Sequence, residues 1–212
     1  MALNLYFLRH GETTFSQSGD FCGETNAELT PEGEHMAESF ADVYQKLKWK
    51  AVYASPMKRT VATAKPFCDA TGIDMQLRDG LREGSYGEWE GKSKEFAQEH
   101  YAENYINWLT EPAWNAPKGG ETAVDIANRS MPVIAEIQEK HPEGNVLVVS
   151  HKATIRIMLC SLLGIDLGSY RYRINILVAS VSMVKFDVHG PLLEFLGDRN
   201  HIPEDIRTRK GT

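Results

Sequence analysis

The sequence predicts an α/β protein of three layers: a mainly parallel sheet flanked by helices, with a helical and loop insertion over the active-site edge. Three observations predict it. Short apolar runs alternate with stretches whose apolar residues recur at helical spacing, in the order β-α-β-α-β-insertion-α-β-α-β-β. Three runs stop at residues suited to a crevice or a break, namely Arg9-His10, Ser55-Pro56 and His151. The span from about 84 to 118 leaves this rhythm, with glycines, acids and then aromatic residues.

The first run holds Leu3, Leu5, Tyr6, Phe7 and Leu8, a pattern that suits a strand covered on both faces. It ends at Arg9, His10 and Gly11. In an open α/β sheet the carboxyl ends of strands border the ligand crevice. A guanidinium there fits phosphate or carboxylate oxygens, and an imidazole can act as base, acid, nucleophile or metal ligand. Gly11, lacking a Cβ, is expected to let a ligand approach the backbone. On these residues alone, a solvated turn remains the alternative.

Residues 14–28, with Gly19 and Gly23, read as a loop. Thr30-Pro31-Glu32-Gly33 then reads as a helix start: Thr30 caps, Pro31 takes the first position and Gly33 supplies the N–H for the cap. Met36, Phe40, Val43, Tyr44 and Leu47 give this helix one apolar face. Ala51-Val52-Tyr53-Ala54 is a second strand. Beyond its break, Arg59 falls in the first turn of a helix, where free N–H groups and the positive helix end also favour an anion. Asp74 to Leu77 is a weak third strand.

Leu81 to Gly91 is a loop with Glu83, Glu88 and Glu90, and Asp79 just before it; most of these carboxylates are expected in solvent. Phe96, Tyr101, Tyr105, Trp108 and Trp114 then mark an insertion of one or two helices. Its rings either lie over a pocket or form a small core of their own. Thr122 opens a helix to about Lys140 with Pro132 inside it. Val146 to Ser150 is the cleanest buried strand, ending in His151 before another helix. Ser182–Asp187 and Leu192–Leu196 read as strands joined at His189-Gly190-Pro191. The tail from Asn200, with Arg207, Arg209 and Lys210, is polar and expected to be mobile.

The 212 residues suit a single domain, 1–212, with the insertion as a cap. A net charge of −6 without a polybasic run argues against nucleic acid or a membrane surface as partner. Cys22, Cys68 and Cys160 are far apart and lack zinc spacing; Cys68 and Cys160 fit as small core residues. The N-terminus lacks a secretory pattern and no apolar run approaches a membrane span, so the expected location is cytoplasmic.

Gathered on one sheet edge, two Arg, two His and a loop carboxylate favour a phosphoryl group. Two guanidiniums would repel a metal ion, and no carboxylate has ligand spacing. The sequence contains no G-x-S-x-G, no Walker-type phosphate loop and no G-x-G-x-x-G.

Leu8-Arg9-His10-Gly11-Glu12-Thr13 with the distal Ser150-His151 resembles the histidine phosphatase superfamily, the phosphoglycerate-mutase-like fold. The resemblance extends through Leu29 to Gly33, Ser55 to Thr60, Leu81-Arg82-Glu83, Gly87 to Gly91 and Gly119 to Thr122, in order along almost the whole chain. It implies that His10 is the nucleophile, becoming phosphohistidine, that Arg9, Arg59 and His151 hold phosphate oxygens, and that Glu83 protonates the leaving oxygen and then activates water. Burial under the Trp89 loop is expected to keep Glu83 available as an acid. Thr13, Ser16, Gly23 and Lys152 are the candidate substrate-binding residues. No metal and no cofactor is implied, because Arg and His charges take the metal's part.

The sequence departs from the family pattern twice. Ser16 stands where members often carry Asn, and Lys152 where Gly usually follows the second His. The Lys152 ammonium either points to solvent or reads an anionic part of the substrate. The span from Gly91 to Lys118 is acidic and aromatic, whereas the cofactor-dependent mutases tend to carry a longer, basic, Tyr-rich segment. The resemblance therefore implies a phosphatase acting on a small phosphorylated metabolite, phosphoserine being favoured. A cofactor-dependent phosphoglycerate mutase and a non-catalytic phospho-ligand binding module are the alternatives. Relatives often form dimers, which leaves a homodimer open.

Overall fold

The computed structural model describes residues 2–209 and 211. In chain order its elements are β1 (Leu3–Arg9), α1 (Thr14–Ser18), α2 (Pro31–Tyr44), β2 (Trp49–Ala54), α3 (Lys58–Thr71) and β3 (Met75–Leu77). Then follow α4 (Lys94–His100), α5 (Ala102–Thr110), α6 (Ala123–Lys140), β4 (Gly144–Ser150) and α7 (Lys152–Leu163). The chain closes with α8 (Tyr170–Arg173), β5 (Val181–Asp187), β6 (Gly190–Asp198) and α9 (Glu204–Arg207).

The six strands form one sheet in the order β3-β2-β4-β1-β5-β6. The β3, β2, β4 and β1 strands run parallel, while β5 pairs antiparallel with both β1 and β6. This is the expected mainly parallel α/β sheet, with an antiparallel hairpin on one side. Alternation explains the continuous apolar runs. Leu3, Leu5 and Phe7 join Val146, Val148 and Tyr53 in the core shared with α6 and α7. Tyr6 and Leu8 join Leu147, Val149, Val52 and Ala54 in the core shared with α2 and α3. Both faces are covered, so neither can be polar.

Strand β4 enters between β1 and β2 after both have formed in sequence, and this placement builds the site. The register pairs Arg9 with Ser150 and Ala54 with Val149. The His10 N–H donates to Ser150 O at 3.0 Å and the Ser55 N–H to Val149 O at 3.0 Å. Three strand ends therefore lie side by side.

Several local expectations change. Thr14–Ser18 is a short helix and not loop. Thr13 and Ser16 cap it reciprocally, but the box uses Ser where Glu or Gln is the recognisable residue. The tail is packed: Ile202 and Ile206 are buried with Met36 and Val178. Arg209 pairs with Glu12 at 3.0 Å and Glu32 at 2.8 Å. Lys210 lies outside the described residues. The approach permitted by Gly11 is to another backbone segment, since a Cβ there would run into the Gly33 carbonyl. Glycines 11 and 33 thus let the start of α2 press against the loop after β1.

In the insertion, Phe21, Trp89, Ala97, Tyr105 and Trp108 form a buried cluster. The rings therefore make the insertion's own core, and Phe21 ties that core to the loop after α1. Cys160 is buried and Cys68 half-buried, and all three cysteines are free. Among the described residues, no helix is long and apolar enough to cross a membrane.

Candidate active site

His10 caps the carboxyl end of β1 and is buried at 6% exposure. Its Nδ1 lies 2.7 Å from Gly11 O. A carbonyl only accepts, so Nδ1 carries the proton and Nε2 keeps its lone pair. Burial, and then the charges of Arg59 and Arg9, hold the ring well below its usual pKa, in the neutral state. The loop itself is fixed by the Gly11 N–H, which donates to Thr63 Oγ1 on α3 at 2.9 Å.

Arg59 lies at the start of α3, as its sequence position predicts, and is 1% exposed. Every arm of its guanidinium is held. Nε donates to His151 Nδ1 at 3.1 Å, Nη1 to Thr25 O at 2.8 Å and Nη2 to Gly23 O at 2.9 Å. Arg9 is also buried, donating from Nη1 to Ile176 O at 3.0 Å. Burial lowers its pKa to about 9, which leaves it charged at neutral pH.

His151 stands where β4 passes into α7, its ring centroid 5.3 Å from that of His10. Since Nδ1 accepts from Arg59, Nε2 carries the proton and donates to Ser55 Oγ at 2.8 Å. Burial and Arg59 hold this ring neutral too. Both nitrogens are engaged with protein partners, and His151 supports Arg59 from behind.

Glu83 reaches the site from the loop after β3. Its Oε1 accepts from the N–H groups of Gly84 and Thr154 and from Thr154 Oγ1, at 3.0–3.2 Å. Oε2 accepts from the Ala153 N–H at 3.1 Å. The first turn of α7, and not Trp89, thus grips the carboxylate; Trp89 belongs to the insertion core. Arg129 on α6 holds the same loop by its backbone, donating to the carbonyls of Gly80, Arg82 and Glu83 at 2.8–3.1 Å. A two-pronged bond to Glu121, at 2.8 and 2.9 Å, orients that guanidinium.

Arg9, His10, Arg59 and Glu83 border one cavity of about 70 Å³, with Thr13, Ser16 and Lys152 also on its wall. Ser16 lines the wall while its hydroxyl serves the helix cap, accepting from the Thr13 N–H at 2.8 Å and donating to Thr13 O at 2.9 Å. Gly23 is not on that wall. Its N–H donates to the Glu90 carboxylate at 3.1 Å, because Glu90 gathers the amides of residues 23 to 25 and of Tyr86. Glu90 is therefore a half-buried anchor of two loops, unlike the solvated carboxylate expected from composition.

Asp20, Cys22 and Tyr86 line the cavity without a sequence signal that picked them out. Their neighbours in sequence are loop residues, and contacts distant in sequence, among them Phe21 against Tyr86, bring residues 20–22 close to residue 86. No group of three or more His, Cys, Asp or Glu suited to a metal occurs among the described residues.

A buried neutral imidazole, two buried guanidiniums and a gripped carboxylate around so small a cavity can take a phosphoryl group, transfer it to nitrogen and move a proton. Proteins similar to this chain are named as phosphatases. The family model described as histidine phosphatase superfamily (branch 1) matches residues 5–199. Phosphoserine phosphatase 1 of Hydrogenobacter thermophilus is 30% identical over 168 residues, covering 79% of this chain and 80% of that protein. Glucosyl-3-phosphoglycerate phosphatase of Mycobacterium tuberculosis is 28% identical over 177 residues, 80% of this chain and 79% of that one. A solved mycobacterial glucosyl-3-phosphoglycerate phosphatase superposes with a TM-score of 0.84 at 25% identity, over 93% of this chain and 99% of its own.

Proposed function

The chain belongs to branch 1 of the histidine phosphatase superfamily and is a phosphoric monoester hydrolase; from that membership we propose that it hydrolyses a small phosphorylated metabolite, phosphoserine foremost, through phosphohistidine at His10. The observation that carries this reading is the tautomer and charge of His10. Its proton is committed to Gly11 O, its ring is held neutral, and its remaining lone pair belongs to a nitrogen on a cavity lined by two cations.

In the first half-reaction Nε2 attacks phosphorus and the ester P–O bond breaks. Glu83 gives its proton to the departing alkoxide. Arg9 and Arg59 stabilise the charge on the non-bridging oxygens. His151 acts through Arg59, whose Nε it holds. The imidazolium formed on transfer keeps its Nδ1 proton on Gly11 O. In the second half-reaction water attacks phosphorus, Glu83 takes the water's proton, and the N–P bond breaks with its electron pair returning to Nε2. Inorganic phosphate leaves. The glutamate's Oε2, with a single protein donor, is the oxygen assigned to the proton, since Oε1 already has three donors.

Phosphoserine is favoured by the 30% likeness to a phosphoserine phosphatase and by Lys152 on the cavity wall. The test is release of inorganic phosphate from p-nitrophenyl phosphate, phosphoserine and 3-phosphoglycerate, with phosphoglycerate isomers measured alongside. Hydrolysis is expected, with loss of roughly 10⁴-fold or more in His10→Ala. Isomerisation outpacing hydrolysis would overturn the phosphatase reading, and absence of any turnover would favour a binding module.

A further inference from the structure

Beside the phosphate cavity lies a second one of about 140 Å³ that shares Asp20, Tyr86 and Lys152 with it. The wall of this second lobe carries four cations: Lys94, Lys152, Arg156 and Arg171. They come from three elements, α4, α7 and α8, that the fold brings together around one space. Asp20 is the single acidic side chain on that wall.

The four cations form no ion pair among the described residues. The Nε atoms of Arg156 and Arg171 are buried without a hydrogen-bond partner. Arg171 is held flat against the insertion, its guanidinium carbon 3.6 Å from the centre of the Trp108 ring. Arg156 lies one helical turn beyond Lys152, so both project from the same face of α7. Exposed lysines and arginines ordinarily remain in water. Here Lys152, Arg156 and Arg171 are partly buried on a concave wall with aromatic neighbours, while Lys94 on the same wall stays exposed. Burial, and after it the charges of Arg9, Arg156 and Lys94, lower the Lys152 pKa to about 7, with Glu83 opposing the shift.

We propose that this second lobe is an anion subsite, with Arg156 and Arg171 as its principal ligands and Lys152 between the lobes, and that it selects phosphomonoesters whose alcohol portion carries a second anionic group. The inference rests on the phosphatase reading of the first lobe and narrows its substrate class. Lys152 lines both cavities, so the second anion belongs within a few bonds of the ester oxygen. A carboxylate or a second phosphate satisfies the guanidiniums. An uncharged alcohol portion leaves four cations facing it.

Matched esters test this. The pair 3-phosphoglycerate and glycerol 3-phosphate differs at a carboxylate, and the pair fructose 1,6-bisphosphate and fructose 6-phosphate at a phosphate. The wild-type protein is expected to prefer the doubly anionic member of at least one pair by about 10- to 100-fold in kcat/KM, the range of hydrogen bonds to charged groups. The pair that shows it identifies the anion. In Arg156→Met and Arg171→Met the ratio within that pair should fall toward one, and Arg156→Lys should restore part of it. The ratio is the readout, so a general loss of folded protein does not imitate the effect. Equal kcat/KM within both pairs for the wild type overturns the subsite, as does a ratio unmoved in both variants. If no ester is hydrolysed at all, it is the phosphatase reading that fails.

Discussion

The two lobes of the cavity are built on opposite principles. In the phosphate lobe each functional group is bound to the protein before any substrate arrives: Arg59 through three donors, His151 through both nitrogens and Glu83 through four. In the second lobe Lys94, Lys152, Arg156 and Arg171 share a wall with one acidic residue, Asp20, and none of the four forms an ion pair among the described residues. The first lobe must stabilise charge that develops during the reaction, and preorganised groups do so without moving. As an anion subsite, the role proposed above, the second would recognise charge already present on the substrate, for which unsatisfied donors are the useful state. Under that proposal chemistry and selectivity fall to largely different residues, with Lys152 on both walls.

This contrast can be broken most forcefully at Glu83. Glu83→Gln should lower kcat by about 10²- to 10⁴-fold on alkyl esters, since an alkoxide needs its proton. With p-nitrophenyl phosphate the leaving group needs none, so a burst of nitrophenolate followed by slow turnover is expected. Stopped-flow absorbance reads it, and a steady slow release without a burst would remove Glu83 from the second half-reaction.

Arg129 offers a subtler break, because it holds the loop of Glu83 without lining the phosphate cavity. Arg129→Met should reduce kcat by roughly 10-fold or more through misplacement of that carboxylate, with KM much less affected. Arg129→Lys recovers little, since one ammonium cannot reach three carbonyls and both oxygens of Glu121. A change confined to KM would contradict this positioning role.

The smallest effect belongs to the second lobe. Lys152 is charged below its pKa of about 7 and neutral above it, so its attraction for an anion is present in mild acid and fades as pH rises. From pH 6 to 8.5, KM for 3-phosphoglycerate should rise a few-fold relative to KM for glycerol 3-phosphate, which corrects for ionisation of the ester phosphate. In Lys152→Met that relative rise should vanish. A rise of equal size in the variant would place the titration elsewhere.

The first lobe was far more legible in the sequence than the second, for a physical reason. Arg9, His10, Arg59 and His151 each adjoin the abrupt end of a short apolar strand, and parallel strands carry such ends to one edge. Glu83 was singled out by its loop and by family resemblance. Lys94, Arg156 and Arg171 sit within helices, where an isolated cation looks like any solvated residue; only the packing of α4, α7 and α8 makes them neighbours. The roles of Glu90 and Arg209 were hidden in the same way, because their partners lie 67 and 197 positions distant. Gly23 shows the converse, a candidate substrate-binding residue that is off the cavity wall and whose amide donates to Glu90.

The placement of β1 between β4 and β5 also has a consequence for biosynthesis. The strand that leads to His10 is made well before its two neighbours, which begin at Gly144 and Val181. At synthesis rates of about 5–20 residues per second, an apolar strand with two open edges waits roughly ten seconds or more for its first partner. During that interval it is a target for chaperones and for unwanted pairing. The contact from Arg209 to Glu12 comes later still, so the loop after His10 gains this brace only once residue 209 has been made. Errors of translation or premature arrest would therefore yield a chain that contains every candidate catalytic residue and still lacks a finished site.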